Sequence, residues 1–185
     1  MIDDTLNDAA QKMEAAVEHT KGEFAKIRTG RANPGLITDL RVDYYGTPTP
    51  LQQLAGVSVP EPRQLLVTPY DRTALKEIER AISKADLGLN PNNDGQNIRV
   101  NFPELTEERR REFVRLARER AEEGRIAVRN VRRHAKQEIE RLAHDGHITD
   151  DEMRRASDDL QKRTDAATGR IDEVLEHKEV ELLEV

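Results

Sequence analysis

The sequence predicts an α+β fold: an elongated antiparallel three-helix bundle with a small inserted β/α/β domain, joined by a two-strand hinge. Three observations predict it. Long stretches at both ends repeat apolar residues at three- and four-residue steps, the period of one helix face. The middle instead concentrates proline and short alternating runs, which suit strands and turns. Aromatics make up only 3% of the 185 residues, so the core is mostly aliphatic.

The first element is an amphipathic helix over 2–29. Ile2, Leu6, Ala9, Met13, Val17, Phe24 and Ile27 share its apolar face. The residues between them are largely charged or Ala, mostly good helix formers. "TGRANPG" should stop it, because Gly30, Pro34 and Gly35 break helices.

The middle follows. "LRVDYYG" alternates Leu40, Val42 and Tyr44, as a half-buried strand does, and "TPTP" at 47–50 reads as a turn or extended piece. "VSV" (57–59) and "QLLVTPY" (64–70) read as strands. Asp71 suits the cap of a short helix that turns Leu75, Ile78, Ile82 and Ala85 inward and ends by Gly88. "NPNNDG" (90–95) reads as a loop, and "IRVNF" (98–102) alternates again. Tyr44 and Tyr45 are expected to pack this domain rather than act as acids.

A helical period resumes after Thr106, a candidate N-cap followed by two acids. Phe113, Leu116, Ala117, Ala121, Gly124, Val128, Val131, Ala135, Ile139 and Leu142 form one face. "HDGHITDDE" ends this helix at Gly146 and starts the next, with Thr149 and Glu152 at capping-box spacing. The last helix carries Met153, Ala156, Leu160, Ala167, Ile171, Val174 and Leu182. The three long helices come to about 27, 38 and 33 residues, the longest roughly 57 Å at 1.5 Å per residue. None can bury its stripe alone, and three stripes close a bundle.

The expected domains are therefore 1–30 with 105–185, and 31–104. Two chain crossings join them, one with Gly30, Arg31 and Pro34, the other with Pro103, Glu104, Leu105 and Thr106. Two adjacent crossings make a hinge rather than a free tether.

Composition narrows function. The chain has no cysteine, which excludes disulfides, thiol catalysis and cysteine-ligated metals. No stretch approaches the length of a membrane span, and the N-terminal residues lack a signal-peptide pattern, so a cytoplasmic protein is expected. No glycine-rich phosphate loop, Ser/His/Asp pattern or HExxH occurs, so neither enzyme nor cofactor is expected. His144 and His147 flank a glycine turn without a third ligand, so no metal is expected there either. The acidic clusters at 150–152 and 158–159 read as capping and solvated faces.

The net charge of −6 hides a division. Residues 106–141 carry 11 Arg and 1 Lys against 8 Glu, a balance of +4, whereas 150–185 balance at −6, with 6 basic and 12 acidic residues. On a wheel with Arg125 at zero, Arg118, Arg129, Arg132 and Lys136 fall within about 60° of arc together with it. Arg133 lies further round, at about 80°. The apolar stripe is roughly a third of a turn away, so these cations face outward. Glu122 and Glu140 project near the same side. Lys26, Arg28 and Arg31 add charge beside the hinge. Arginine suits phosphate, because its planar fork holds two oxygens and stays charged. The pattern alone fits a solvated face with Glu partners as well as a phosphate-binding face. A protein-binding adaptor, a duplex-RNA binder and a small hydrolase also stay open, the last weakened by the missing nucleophile–base pair.

Six motifs then occur in a familiar order: "KIRTGRANP" (26–34), "YYGTPTPLQQLA" (44–55), "DLGLNPNNDGQNIRV" (86–100), "LTEERRREF" (105–113), "VRNVRR" (128–133) and "DDLQKRTD" (158–165). Together they make the chain resemble bacterial ribosome recycling factors over essentially its whole length. "NFPELTEERR" departs from the proline-richer form usual in that family. The resemblance implies a monomer that binds the post-termination ribosome and, with elongation factor G and its GTP hydrolysis, splits it into subunits. It implies a bundle lying against large-subunit rRNA. The family's RNA-contacting arginines match Arg28, Arg31, Arg129 and Arg132, with Arg118, Arg125, Arg133 and Lys136 as weaker candidates. The second domain would receive the push from elongation factor G through the hinge.

Overall fold

The computed structural model describes residues 1–184. In chain order the elements are α1 (Ile2–Ala25), β1 (Arg41–Tyr44), β2 (Thr47–Pro50), α2 (Leu51–Leu54), β3 (Ala55–Glu61), β4 (Gln64–Pro69), α3 (Leu75–Lys84), β5 (Asn90–Asn93), β6 (Ile98–Asn101), α4 (Glu107–His144) and α5 (Asp150–Leu183). They form two compact units, Met1–Arg28 with Glu107–Val185, and Thr29–Thr106.

The first unit is a three-helix bundle. Leu6, Met13, Val17 and Phe24 of α1, Ala117, Ala121, Val128 and Ile139 of α4, and Leu160, Ala167, Ile171 and Leu182 of α5 are buried in one core. Removing each large aliphatic side chain from water contributes about 1.5–3 kcal/mol. Arg118 pairs with Glu179 and Arg125 with Asp172, so α4 and α5 run antiparallel. Glu23 lies near Arg120, while Asp4 and Asp8 line a groove with Val131 and Glu138, so α1 is antiparallel to α4 as well.

Gly124 marks a close approach between α1 and α4. A Cβ there would lie 2.2 Å from Thr20 Oγ1 and 3.1 Å from Ile171 Cδ1. Thr20 is buried and donates its hydroxyl to the Ala16 carbonyl at 2.9 Å, so its oxygen is satisfied within α1. The glycine lets two backbones approach where any side chain would separate them.

Turn chemistry joins α4 to α5. The Gly146 and His147 amides bond back to Ala143 and Leu142. Thr149 and Glu152 then complete the capping box: the Thr149 hydroxyl accepts from the Glu152 amide at 3.3 Å, and the Glu152 carboxylate accepts from the Thr149 amide at 2.8 Å. The acidic run at 150–152 sits in the first turn of α5, where the helix dipole favours negative charge. Two expectations need correcting. The first helix stops at Ala25 rather than 29. Lys26 and Ile27 bond three residues back, to Glu23 and Phe24, which tightens the last turn and buries Ile27. On α4, Val114 is buried while Phe113 and Leu116 are only partly so.

The second unit packs helix α3 and the β1–β2 hairpin with a four-stranded antiparallel sheet of order β3-β4-β6-β5. Ile37, Val42, Leu51, Leu65, Val67, Ile78, Ile82, Ile98 and Val100 are its buried centre. Asp71 accepts the Thr73 amide at 2.9 Å and caps a 3-10 turn that leads into α3. The helix ends at Lys84, leaving Ala85 half-buried beyond it.

Two sequence expectations change here, and a third, the turn or extended piece at 47–50, resolves as extended. "TPTP" is strand β2, paired with β1 alone, which is where a sheet tolerates proline. Asn90–Asn93 is not loop but edge strand β5, with Pro91 opposite Val100 and Asn93 opposite Ile98. Pairing with β6 overrides the poor strand propensity of Asn and Pro. The turn after it is held by the Asp94 carboxylate, which accepts from Gln96 and Asn97 at 2.9 and 2.7 Å. Tyr44 does pack the domain and donates to Asp71 at 2.8 Å, but Tyr45 is 77% exposed. Tyr45 and Gly46 both have positive φ, 49° and 81°, as the two-residue turn of a tight hairpin requires, and this puts Tyr45 at the tip.

Candidate nucleic-acid interface

The cationic face of α4 follows from helix spacing. Arg118, Arg125, Arg129, Arg132 and Lys136 recur at steps of seven, four, three and four, which returns them to one side. The apolar stripe, roughly a third of a turn away, anchors that face outward by burying Val128, Ala135 and Ile139.

Charge partners divide the face. Arg118 Nε donates to Glu179 Oε1 at 2.5 Å. Arg125 donates to Asp172 Oδ1 at 2.8 Å and to Glu122 Oε2 at 2.9 Å. Arg129 Nη2 donates to the other oxygen of the same carboxylate, Glu122 Oε1. Hydrogen bonds from Arg125 first and Arg129 second hold the Glu122 carboxyl below the usual carboxylate range. Lys136 lies 3.7 Å from Glu140. Arg132 and Arg133 have no ion-pair partner among the described residues. Arg133 is exposed and Arg132 half-exposed.

The two arginines near the first crossing fall in different units. Arg28 belongs to the bundle unit, is exposed and has no ion-pair partner among the described residues. Arg31 belongs to the inserted unit, where it is exposed and its amide reaches the Thr29 hydroxyl at 3.4 Å.

Chemically, among the described residues, the face offers the open guanidinium of Arg132 between Arg129 and Lys136, which already face carboxylates. Exposed ion pairs of this kind contribute about 0–1 kcal/mol, so an incoming phosphate can exchange with them. A wheel of α4 alone does not show Asp172 and Glu179. Their signal was present all the same: they are seven apart, as Arg118 and Arg125 are, and antiparallel packing brings the two pairs into register. Elsewhere, His144 Nδ1 lies 3.3 Å from Asp145. No group of three or more His, Cys, Asp or Glu side chains among the described residues is placed to hold a metal. No helix among the described residues is long and apolar enough to cross a membrane.

Comparison with known proteins identifies the lineage. Residues 20–183 match the family model for ribosome recycling factor. The chain belongs to the ribosome recycling factor family. It is 54% identical to the ribosome-recycling factor of Frankia alni and 52% identical to that of Streptomyces coelicolor, each over 185 residues and the full length of both chains. A solution structure of a ribosome recycling factor superposes with a TM-score of 0.80 at 44% identity, covering all of this chain and 98% of the other. Models of the T. thermophilus ribosome recycling factor and the E. coli elongation factor G bound to the E. coli post-termination complex match with a TM-score of 0.66 at 44% identity, over the whole of both chains. The mixed fold, long helices with a small sheet unit, is thus that of known ribosome recycling factors.

Proposed function

We propose that this recycling factor binds the post-termination ribosome through phosphates of large-subunit rRNA and promotes its splitting into subunits and its release from mRNA. Elongation factor G is the partner, and the GTP hydrolysis is that partner's chemistry. The factor itself acts in the cytoplasm as a monomer, with no cofactor and no covalent step. The observation that carries this reading is the guanidinium of Arg132, which has no acidic partner among the described residues and lies half-exposed on the core-side edge of an outward cationic helix face. Arg129, Arg28 and Arg31 complete the anchoring set, and Arg118, Arg125, Arg133 and Lys136 contribute less.

In this reading 1–30 with 105–185 is the anchored domain, and 31–104 receives the push. Gly30, Arg31 and Pro34 form one hinge crossing, and Pro103, Glu104, Leu105 and Thr106 the other. Within the inserted unit the two crossings touch, since a Cβ on Gly30 would lie 3.3 Å from Leu105 Cγ. Motion of elongation factor G against the inserted domain is then transmitted to a bundle held by charge-assisted bonds.

Light scattering of post-termination ribosomes tests the function. Adding the factor together with elongation factor G and GTP should lower the signal as subunits separate, whereas omitting any one of the three should leave it flat. Splitting by the factor alone, or none with all three present, contradicts the proposal.

A further inference from the structure

On the outer face of α4, Glu122 holds two arginines at once. Oε2 accepts from Arg125 and Oε1 from Arg129, so both carboxylate oxygens are engaged. Arg125 has a second acid, Asp172, but Arg129 has no other ion-pair partner among the described residues. Arg132 follows Arg129 by three residues and carries none.

This arrangement has a consequence for which RNA can bind. A phosphate that approaches Arg125 or Arg129 meets a guanidinium already paired with the Glu122 carboxylate, whose negative charge repels it and offsets most of the ionic gain. Arg132 offers a contact that displaces nothing. Only a backbone reaching Arg132 and Arg129 together gains enough to complete the exchange.

We propose that Glu122 is a specificity-determining residue, whose carboxylate covers Arg125 and Arg129 against generic RNA and yields them to a target whose phosphates also reach Arg132. This rests on the arginine–phosphate reading given above. The Glu122 carboxyl, held below the usual carboxylate range by its hydrogen bonds from Arg125 and Arg129, is charged at neutral pH. Its side chain is 50% exposed, so replacing it with Gln disturbs no core.

The test compares full-length wild type with Glu122→Gln, Glu123→Gln and Arg132→Ala, each checked for folding by circular dichroism. Glu123 serves as the charge control. It is paired with Arg120, whose guanidinium also approaches Glu23 of α1, away from the cationic face. Affinity is measured for bacterial ribosomes and for a random-sequence duplex RNA across a salt series. Glu122→Gln should tighten duplex binding by about fivefold to tenfold, and ribosome binding by less. Its salt slope on duplex should steepen by about 1 to 2, for the one or two phosphate contacts released. An equal gain with Glu123→Gln would reduce the effect to net charge and overturn the proposal, as would no gain, or an equal gain on both ligands, with Glu122→Gln. If Arg132→Ala binds ribosomes like wild type, the anchoring reading fails. If it weakens binding and only the Glu122 results are negative, that reading stands and the role of Glu122 alone falls.

Discussion

Gly124 and Arg132 show how single residues set packing and charge in this molecule. Alanine at Gly124 would gain about 1 kcal/mol in helix propensity but meets Thr20 Oγ1 far inside contact distance, an overpacking cost of about 1–3 kcal/mol. Gly124→Ala should therefore lower the urea midpoint, a net loss of about 1 kcal/mol, with an unchanged m-value. A midpoint at or above wild type would mean that Thr20 rotates away freely. Sequence placed Gly124 on the apolar face but gave no reason for a glycine there. The reason is a side chain a hundred residues distant, which periodicity does not encode. The cationic stripe was likewise legible from α4 alone. Its cover was legible on α4 only for Glu122, because Asp172 and Glu179 come from another helix and show only through their matching seven-residue spacing.

At the scale of elements, the long helices were readable because each repeats its apolar period over many turns and carries its own punctuation. The capping box at Thr149 and Glu152 was visible as spacing and is formed as bonds, and such a cap contributes about 1 kcal/mol. Short elements were less legible. Strand β5 is built from Asn-Pro-Asn-Asn, and only its pairing with β6 makes it a strand. The end of α1 moved from 29 to Ala25 because Ile27 leaves the helix and still reaches the core. In each case a tertiary contact outweighed local propensity: at α1 it moved an element's end by a few residues, and at β5 it turned an expected loop into an edge strand.

For the molecule as a whole, division of labour follows from the division of the chain. One unit presents an arginine face on stiff helices, and the other carries a separate core of its own. Two crossings between units with independent cores form the proposed hinge, and small-angle scattering of the free factor should need an ensemble of arrangements. A single fixed arrangement that fits equally well would count against the hinge. The central claim is that guanidinium–phosphate contacts anchor the bundle, and ribosome affinity measured against salt for wild type and Arg132→Ala tests it most directly. Arg132→Ala should keep the fold, bind roughly tenfold to a hundredfold more weakly at matched salt, and show a salt slope shallower by about 0.9. Wild-type affinity and slope in Arg132→Ala would contradict it.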